Sequence, residues 1–198
     1  MNKVRNQFLL YLFASIAVVY PAIIQIKNSV WALDSTLTLN LFPLFGLIAF
    51  SLLWLHAISG VFEPWLRKQI NFDNFVNRTS TLILICLTLH PLLLLVNFEF
   101  NLNSILFSYE IKYIRLAIAG WVLLIIYDVS KPFKNRAFFS RNWNKILIIS
   151  TIGFLMTFFH SLALGSDLQS GMLRAVWIFY GATTILSTFY TYGIRRFI

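Results

Sequence analysis

Long apolar runs, separated by short stretches of basic, polar and turn-forming residues, set the rhythm of this chain. They fall at about 8–26, 39–58, 79–96, 111–127, 146–164 and 173–191. Each is near the ~20 residues that a helix needs to cross the hydrocarbon core of a bilayer. No water reaches that depth to satisfy backbone N–H and C=O groups, so continuous apolar runs of this length predict helices. The pattern therefore predicts an all-α, polytopic six-helix bundle, one transmembrane domain over residues 1–198, with no soluble domain at either end. The first run follows Lys3 and Arg5, as the core of a signal peptide would. Its apolar stretch is long and no small-residue cleavage site follows it, so it is read as a helix. The links are short, which makes neighbouring helices antiparallel. No internal repeat or low-complexity tract interrupts the series.

Composition supports this reading. Hydrophobic residues make up 59% of the chain and charged ones only 12%, too few for the surface of a soluble domain of this size. The net charge of +9 raises the question of nucleic acid. The cations, however, sit in the links between apolar runs and form no basic face, which argues against that partner and leaves membrane lipid. Their distribution instead sets an orientation. With the amino terminus inside, the inner segments hold Lys3, Arg5, Arg67, Lys68, Arg78, Lys131, Lys134, Arg136, Arg141, Lys145, Arg195 and Arg196, against Lys27, Lys112, Arg115 and Arg174 outside. This positive-inside bias puts both termini in the cytoplasm, in what we expect to be a bacterial inner (plasma) membrane. Tyr20, Trp31, Trp65, Tyr109, Trp143 and Tyr192 fall near the expected boundaries, as interfacial aromatics do. Cys86 is the only cysteine and lies inside an apolar run, so no intrachain disulfide forms.

Candidate chemistry centres on histidine. The chain has 3. An imidazole at membrane depth costs free energy unless something binds it. His90 stands about a dozen residues into the third helix and His160 about fifteen into the fifth, and both helices run outward, so both rings lie in the outer half of the membrane. Two imidazoles at one depth are candidate axial ligands for a haem. Gly153, two turns before His160 on the same helical face, would let a flat macrocycle approach. Thr157 is placed to accept the second ring N–H of His160. Phe154, Phe158 and Phe159 offer apolar walls, and Pro91 is expected to bend its helix just after His90. Arg115 and Arg174, near the outer ends of their helices, suit the propionates of such a haem. His56 lies near the inner end of the second helix, apart from the other two. The plainer readings are interhelical hydrogen bonding for the histidines, helix packing for Gly153, and lipid or core contact for the phenylalanines.

This pattern of helices and histidines resembles the ferric-reductase-like transmembrane domain. That superfamily includes the NADPH oxidases, ferric reductases and the haem-binding membrane subunits that serve periplasmic methionine sulfoxide reductases. The resemblance covers nearly the whole chain. It implies a membrane b-type cytochrome passing electrons to an extracytoplasmic acceptor, an oxidoreductase subunit that works with separate partners. Those partners would be a quinol or a separate reductase as donor and an extracytoplasmic redox partner as acceptor. In that family the third and fifth helices each carry two histidines, about thirteen residues apart, for an inner and an outer haem. Here the outer pair stands as His90 and His160, while Asn77 and Leu147 occupy the inner positions. One haem b is therefore expected, and His56 is left as a single ligand or as a contact for a bound quinone or flavin.

The chain has no Gly-x-Gly-x-x-Gly stretch, no Ser-His-Asp arrangement and no Cys/His zinc spacing. Two other classes stay open at this point. One is a transporter whose histidines handle protons or metal, which the scarcity of intramembrane carboxylates and of broken helices in matching halves disfavours. The other is a cofactor-free structural subunit.

Overall fold

The computed structural model describes residues 3–34 and 36–194. Eight helices follow one another: α1 (Lys3–Asn28), α2 (Thr36–Val61), α3 (Glu63–Gln69), α4 (Phe72–Asn97), α5 (Leu102–Ser108), α6 (Ile111–Ser130), α7 (Ala137–Leu164) and α8 (Gly171–Phe189), which continues as a π-helical turn, Tyr190–Ile194. The described residues contain no strand. The six long helices, α1, α2, α4, α6, α7 and α8, are each long and apolar enough to cross a membrane. The chain is thus an all-α polytopic membrane bundle. Six crossings bring residues 3 and 194 to one face, here the terminal face; the opposite one is the far face. Arg195 and Arg196, which entered the charge balance, lie outside the described residues.

Several helices begin earlier than hydropathy predicts. α4 starts at Phe72 because Asn71 caps it, its side chain accepting from the Asn74 N–H at 3.1 Å. Arg67 braces the same turn, making a bidentate pair with Asp73 at 2.8 and 2.9 Å and bonding Glu63 at 2.9 Å. Those two carboxylates raise the Arg67 pKa and hold its guanidinium charged. α7 gains more than two polar turns before residue 146. The short helices α3 and α5 lie between runs; Pro64 sits in the first turn of α3, and the Asn101 side chain caps α5.

The bundle is built from two helix pairs, α2 with α4 and α6 with α7, joined through α8 and flanked by α1. At its centre Phe50 stacks between Phe154 and Trp177, with ring centroids 4.5 and 4.4 Å away. Trp54 stacks on Tyr180 at 4.0 Å. Phe8, Leu12, Ile16, Val19 and Ile23 on α1 remain exposed, a lipid-facing stripe at helical spacing. Tyr20 departs from the expected interfacial role. α1 continues well past it, so it packs partly buried against the core.

Two prolines stitch the helices together. A proline has no N–H, so the carbonyl four residues earlier loses its helical partner. Pro91 frees the Leu87 carbonyl, and the Trp121 Nε1–H of α6 donates to it at 2.8 Å. Pro21 frees the Ala17 carbonyl, and the Tyr180 hydroxyl of α8 donates to it at 2.8 Å. In hydrocarbon an unmet carbonyl is costly, so each proline obliges a neighbour to supply a donor.

Candidate functional site

His90 and His160 are both half-buried near the far ends of their helices. Each is oriented by the other helix of its own pair. The Nδ1 of His90 lies 2.6 Å from the Phe42 carbonyl of α2, and that of His160 lies 3.1 Å from the Tyr113 carbonyl of α6. A carbonyl only accepts, so Nδ1 must carry the proton in both rings. Each Nε2 is then left with its lone pair, the form in which imidazole binds a metal. α2 comes very close to the His90 ring: a Cβ on Gly46 would stand 2.8 Å from Nδ1 and 2.9 Å from Cε1. Only glycine admits the imidazole at that point. The two imidazoles, from different helix pairs, lie within electrostatic range of each other.

Other expected site residues take different places. Thr157 does not hold His160. Its hydroxyl donates to the Phe154 carbonyl one turn back at 2.8 Å, a bond within its own helix that a threonine in hydrocarbon readily makes, and Tyr113 supplies the ring's partner. Gly153 lies in the α6–α7 seam, where a Cβ would meet the Gly120 carbonyl at 2.8 Å. Its lack of a side chain serves the contact between the two helices. Phe154 and Phe158 stack with Phe50 in the core, while Phe159 is exposed. Pro91 lies inside α4, which is a single helix from Phe72 to Asn97. Arg115 is exposed near the far end of α6, just past Tyr113. Arg174 is half-buried, with Nη1 donating to the Leu168 carbonyl at 2.7 Å, and Asp167 accepts from Asn28 rather than from Arg174.

His56 sits in the terminal half. Its Nε2 is 2.6 Å from the Thr79 hydroxyl, whose own proton goes to the Phe75 carbonyl at 2.7 Å. Thr79 therefore accepts, Nε2 carries the proton, and Nδ1 of His56 is left as an acceptor. The ring lines a cavity of about 520 Å³ between α2, α4, α6, α7 and α8. A recess of about 20 Å³, room for one water, adjoins it and is lined by His56, Tyr127 and Asp128. Lys131 stands within electrostatic reach of both His56 and Asp128. Asp128 escaped the sequence reading because the predicted helix stopped at residue 127; α6 carries on to Ser130. Thr184, also missed, lines the cavity with its hydroxyl fully buried and without a hydrogen-bond partner among the described residues.

The chain matches no protein-family model, no curated protein and no solved structure. The donor sets must therefore speak for themselves. No cluster of three or more His, Cys, Asp or Glu that could hold a bare metal ion forms among the described residues. A porphyrin supplies four of the ligands of its iron and asks the protein for two. Two half-buried imidazoles, each with Nε2 unprotonated, fit that demand.

Proposed function

We propose that this chain is a membrane b-type cytochrome with one bis-histidine haem, ligated by His90 and His160. The observation that carries the reading is the paired anchoring of the two rings: each Nδ1–H is fixed to a backbone carbonyl, and each Nε2 is left free in the same half of the membrane. A structural histidine needs only one hydrogen bond, but its tautomer would be indifferent to a ligand; here both rings adopt the ligating form. Haem held there would cycle between ferric and ferrous iron and so carry one electron at a time. The chain's own part is to fix the two imidazoles through Phe42 and Tyr113, and to keep water away with the surrounding apolar side chains. Arg115 is proposed as the cation for a propionate, with Arg174, one edge of which is committed to Leu168, as its companion.

This is also what the ferric-reductase-like resemblance implies, restricted to one haem. A second haem would require ligands at the terminal half, where Asn77 is exposed and Leu147 presents an aliphatic side chain to the cavity. The charge bias favours a cytoplasmic terminal face in a bacterial plasma membrane, with the acceptor outside. The test is the visible spectrum of protein purified after expression with haem supplied. A Soret band that sharpens and shifts on dithionite reduction, one haem per chain by pyridine haemochrome, and loss of the band in both His90→Ala and His160→Ala are expected. A colourless wild-type protein, or a band retained in either variant, overturns the reading.

A further inference from the structure

The turn from α6 into α7 is strongly basic. Residues 131–145 hold Lys131, Lys134, Arg136, Arg141 and Lys145, and no aspartate or glutamate occurs from 131 to 166. Aromatic rings hold this stretch against the bundle. Trp143 packs against Tyr127 of α6, with centroids 5.7 Å apart, and Phe133 stacks on Phe139 at 5.5 Å. Two of the cations rest on these rings. The Lys134 ammonium lies 5.0 Å from the Trp143 centroid, and the Arg136 guanidinium 5.0 Å from that of Phe133. Two carboxylates come within electrostatic reach of the stretch, and both act on its lysines: Asp73, itself bonded twice by Arg67, on Lys134, and Asp128 on Lys131.

Arg141 and Lys145 are left over. Both are exposed, and neither makes an ion pair, a hydrogen bond or a ring contact among the described residues. Their place on the helix decides what would meet them. Residues seven apart lie on nearly one line along a helix. Phe138, Lys145, Ile152 and Phe159 make such a line on α7, and its three apolar members are 70%, 48% and 54% exposed. Arg141, one turn before Lys145, shares that face. Lys145 is the last residue before the apolar run, which puts its ammonium at the edge of the hydrocarbon. Ile152 lies about 10 Å deeper, within the ~15 Å thickness of one leaflet's chains. One face thus offers two uncommitted cations at headgroup depth and bare apolar side chains beneath them. An anion with a hydrocarbon tail satisfies both parts, and a free phosphate only the first.

We propose that this face of α7 binds an anionic phospholipid, with Arg141 and Lys145 on the headgroup phosphate and an acyl chain lying along Ile152. The arginine offers a planar fork to two phosphate oxygens and the lysine a point charge. A zwitterionic lipid brings its own cation to the same place and so gains less. The site stands on these residues alone and requires no haem.

The experiment is native mass spectrometry of the full chain in detergent micelles, titrated with dioleoyl phosphatidylglycerol and, separately, with dioleoyl phosphatidylcholine. The chains are the same and only the headgroup differs. The first phosphatidylglycerol should bind at least about tenfold more tightly than the first phosphatidylcholine. A cation beside anionic lipid is worth on the order of fivefold, so Arg141→Gln with Lys145→Gln should weaken phosphatidylglycerol binding by about tenfold or more and change phosphatidylcholine binding little. Lys68→Gln with Arg78→Gln removes two exposed cations elsewhere on the terminal half, and should leave phosphatidylglycerol binding within about twofold. Equal affinity for the two lipids in the wild type overturns the proposal, and that comparison needs no variant to fold. An equal loss in both double variants overturns it too, because net charge rather than a site would then set the affinity. So does displacement of phosphatidylglycerol by inorganic phosphate at an ionic strength where chloride leaves it bound, which would mark a plain anion site.

Discussion

Replacing Trp121 with Phe removes the N–H that meets the Leu87 carbonyl along with some packing against the core, so the bond is isolated only by comparison with a background that does not need it. That carbonyl is unpaired within α4 because Pro91 offers no N–H, and Trp121 meets it at 2.8 Å. In water an orphaned carbonyl would turn to solvent; on Leu87, buried between helices in a bilayer, it cannot. Interhelical hydrogen bonds in membrane proteins are worth about 0.6 kcal/mol on average and about 1.7 at most, and an uncompensated buried acceptor costs about 1–3. Trp121→Phe should therefore destabilise the bundle by about 1–2 kcal/mol. Pro91→Ala returns an N–H to position 91, where it can bond Leu87 within the helix. In that background Trp121→Phe should cost only its packing loss, leaving a coupling of about 1 kcal/mol for the bond. The assay is a double-mutant cycle by reversible unfolding in mixed dodecyl maltoside and SDS micelles, followed by far-UV circular dichroism. Distant, independent sites add within about 0.3–0.5 kcal/mol. If the two substitutions are additive within that limit, the proline does not create the need that Trp121 meets, and the reasoning fails.

Tyr180→Phe should behave in the same way toward Pro21→Ala, costing about 1 kcal/mol alone and much less in the double variant, measured in the same cycle. Gly46→Ala drives a methyl into the His90 ring, and should lower haem occupancy several-fold by pyridine haemochrome; Gly60→Ala, where a Cβ meets nothing within 4 Å, should leave it unchanged. Gly153→Ala forces apart the α6–α7 seam against backbone, which cannot yield as a flexible side chain would. About 1–3 kcal/mol of lost stability is expected, read by thermal melting in detergent. Thr157→Val removes a hydroxyl bonded only within its helix, and should leave the haem spectrum and midpoint potential unchanged.

The helices were legible because a bilayer imposes a length and an apolarity that few other constraints imitate. What hydropathy hides is the polar turn that extends a helix past the hydrocarbon: Asn71 and Arg67 make α4 begin at Phe72, and neither is apolar. The histidines were legible as candidates because they are rare, and their depth could be counted along each helix. Their second partners were not, because Phe42 and Tyr113 contribute backbone carbonyls, and any residue there would offer the same atom. Thr157 was a reasonable guess from spacing alone, but a threonine in a helix bonds most easily to the turn behind it. Gly153 shows the same limit from the other side. A missing Cβ reads alike whether a macrocycle or another helix comes close, and only the docking of α6 on α7 decides. Thr184 looked like one hydroxyl among many in the sixth apolar run; it stands out because, unlike Thr183, Ser187 and Thr188, it makes no hydrogen bond to its own helix among the described residues.

The partition of the polar groups has a consequence for how such a bundle can work. His90 is tied to α2 and His160 to α6, so each imidazole moves with its own helix pair and not with the other. The relation between the rings is therefore set by how the two pairs dock. Near His90, Trp121 bridges them by reaching from α6 to the carbonyl that Pro91 exposes on α4. The proline that makes α4 locally deficient in hydrogen bonds thus also creates a feature on that helix that a neighbour must recognise. Two imidazoles placed in this way are pre-set by backbone atoms, which mutation of side chains does not erase. The terminal half is organised differently. Its cavity is bounded by both helix pairs, α8 and the start of α3, and its specific groups are side chains: His56, Thr184 and, in the adjoining recess, Asp128. A site held by backbone suits a ligand bound once and kept, whereas a chamber lined by side chains and reaching the terminal face at Glu63 and Phe72 suits one that enters and leaves.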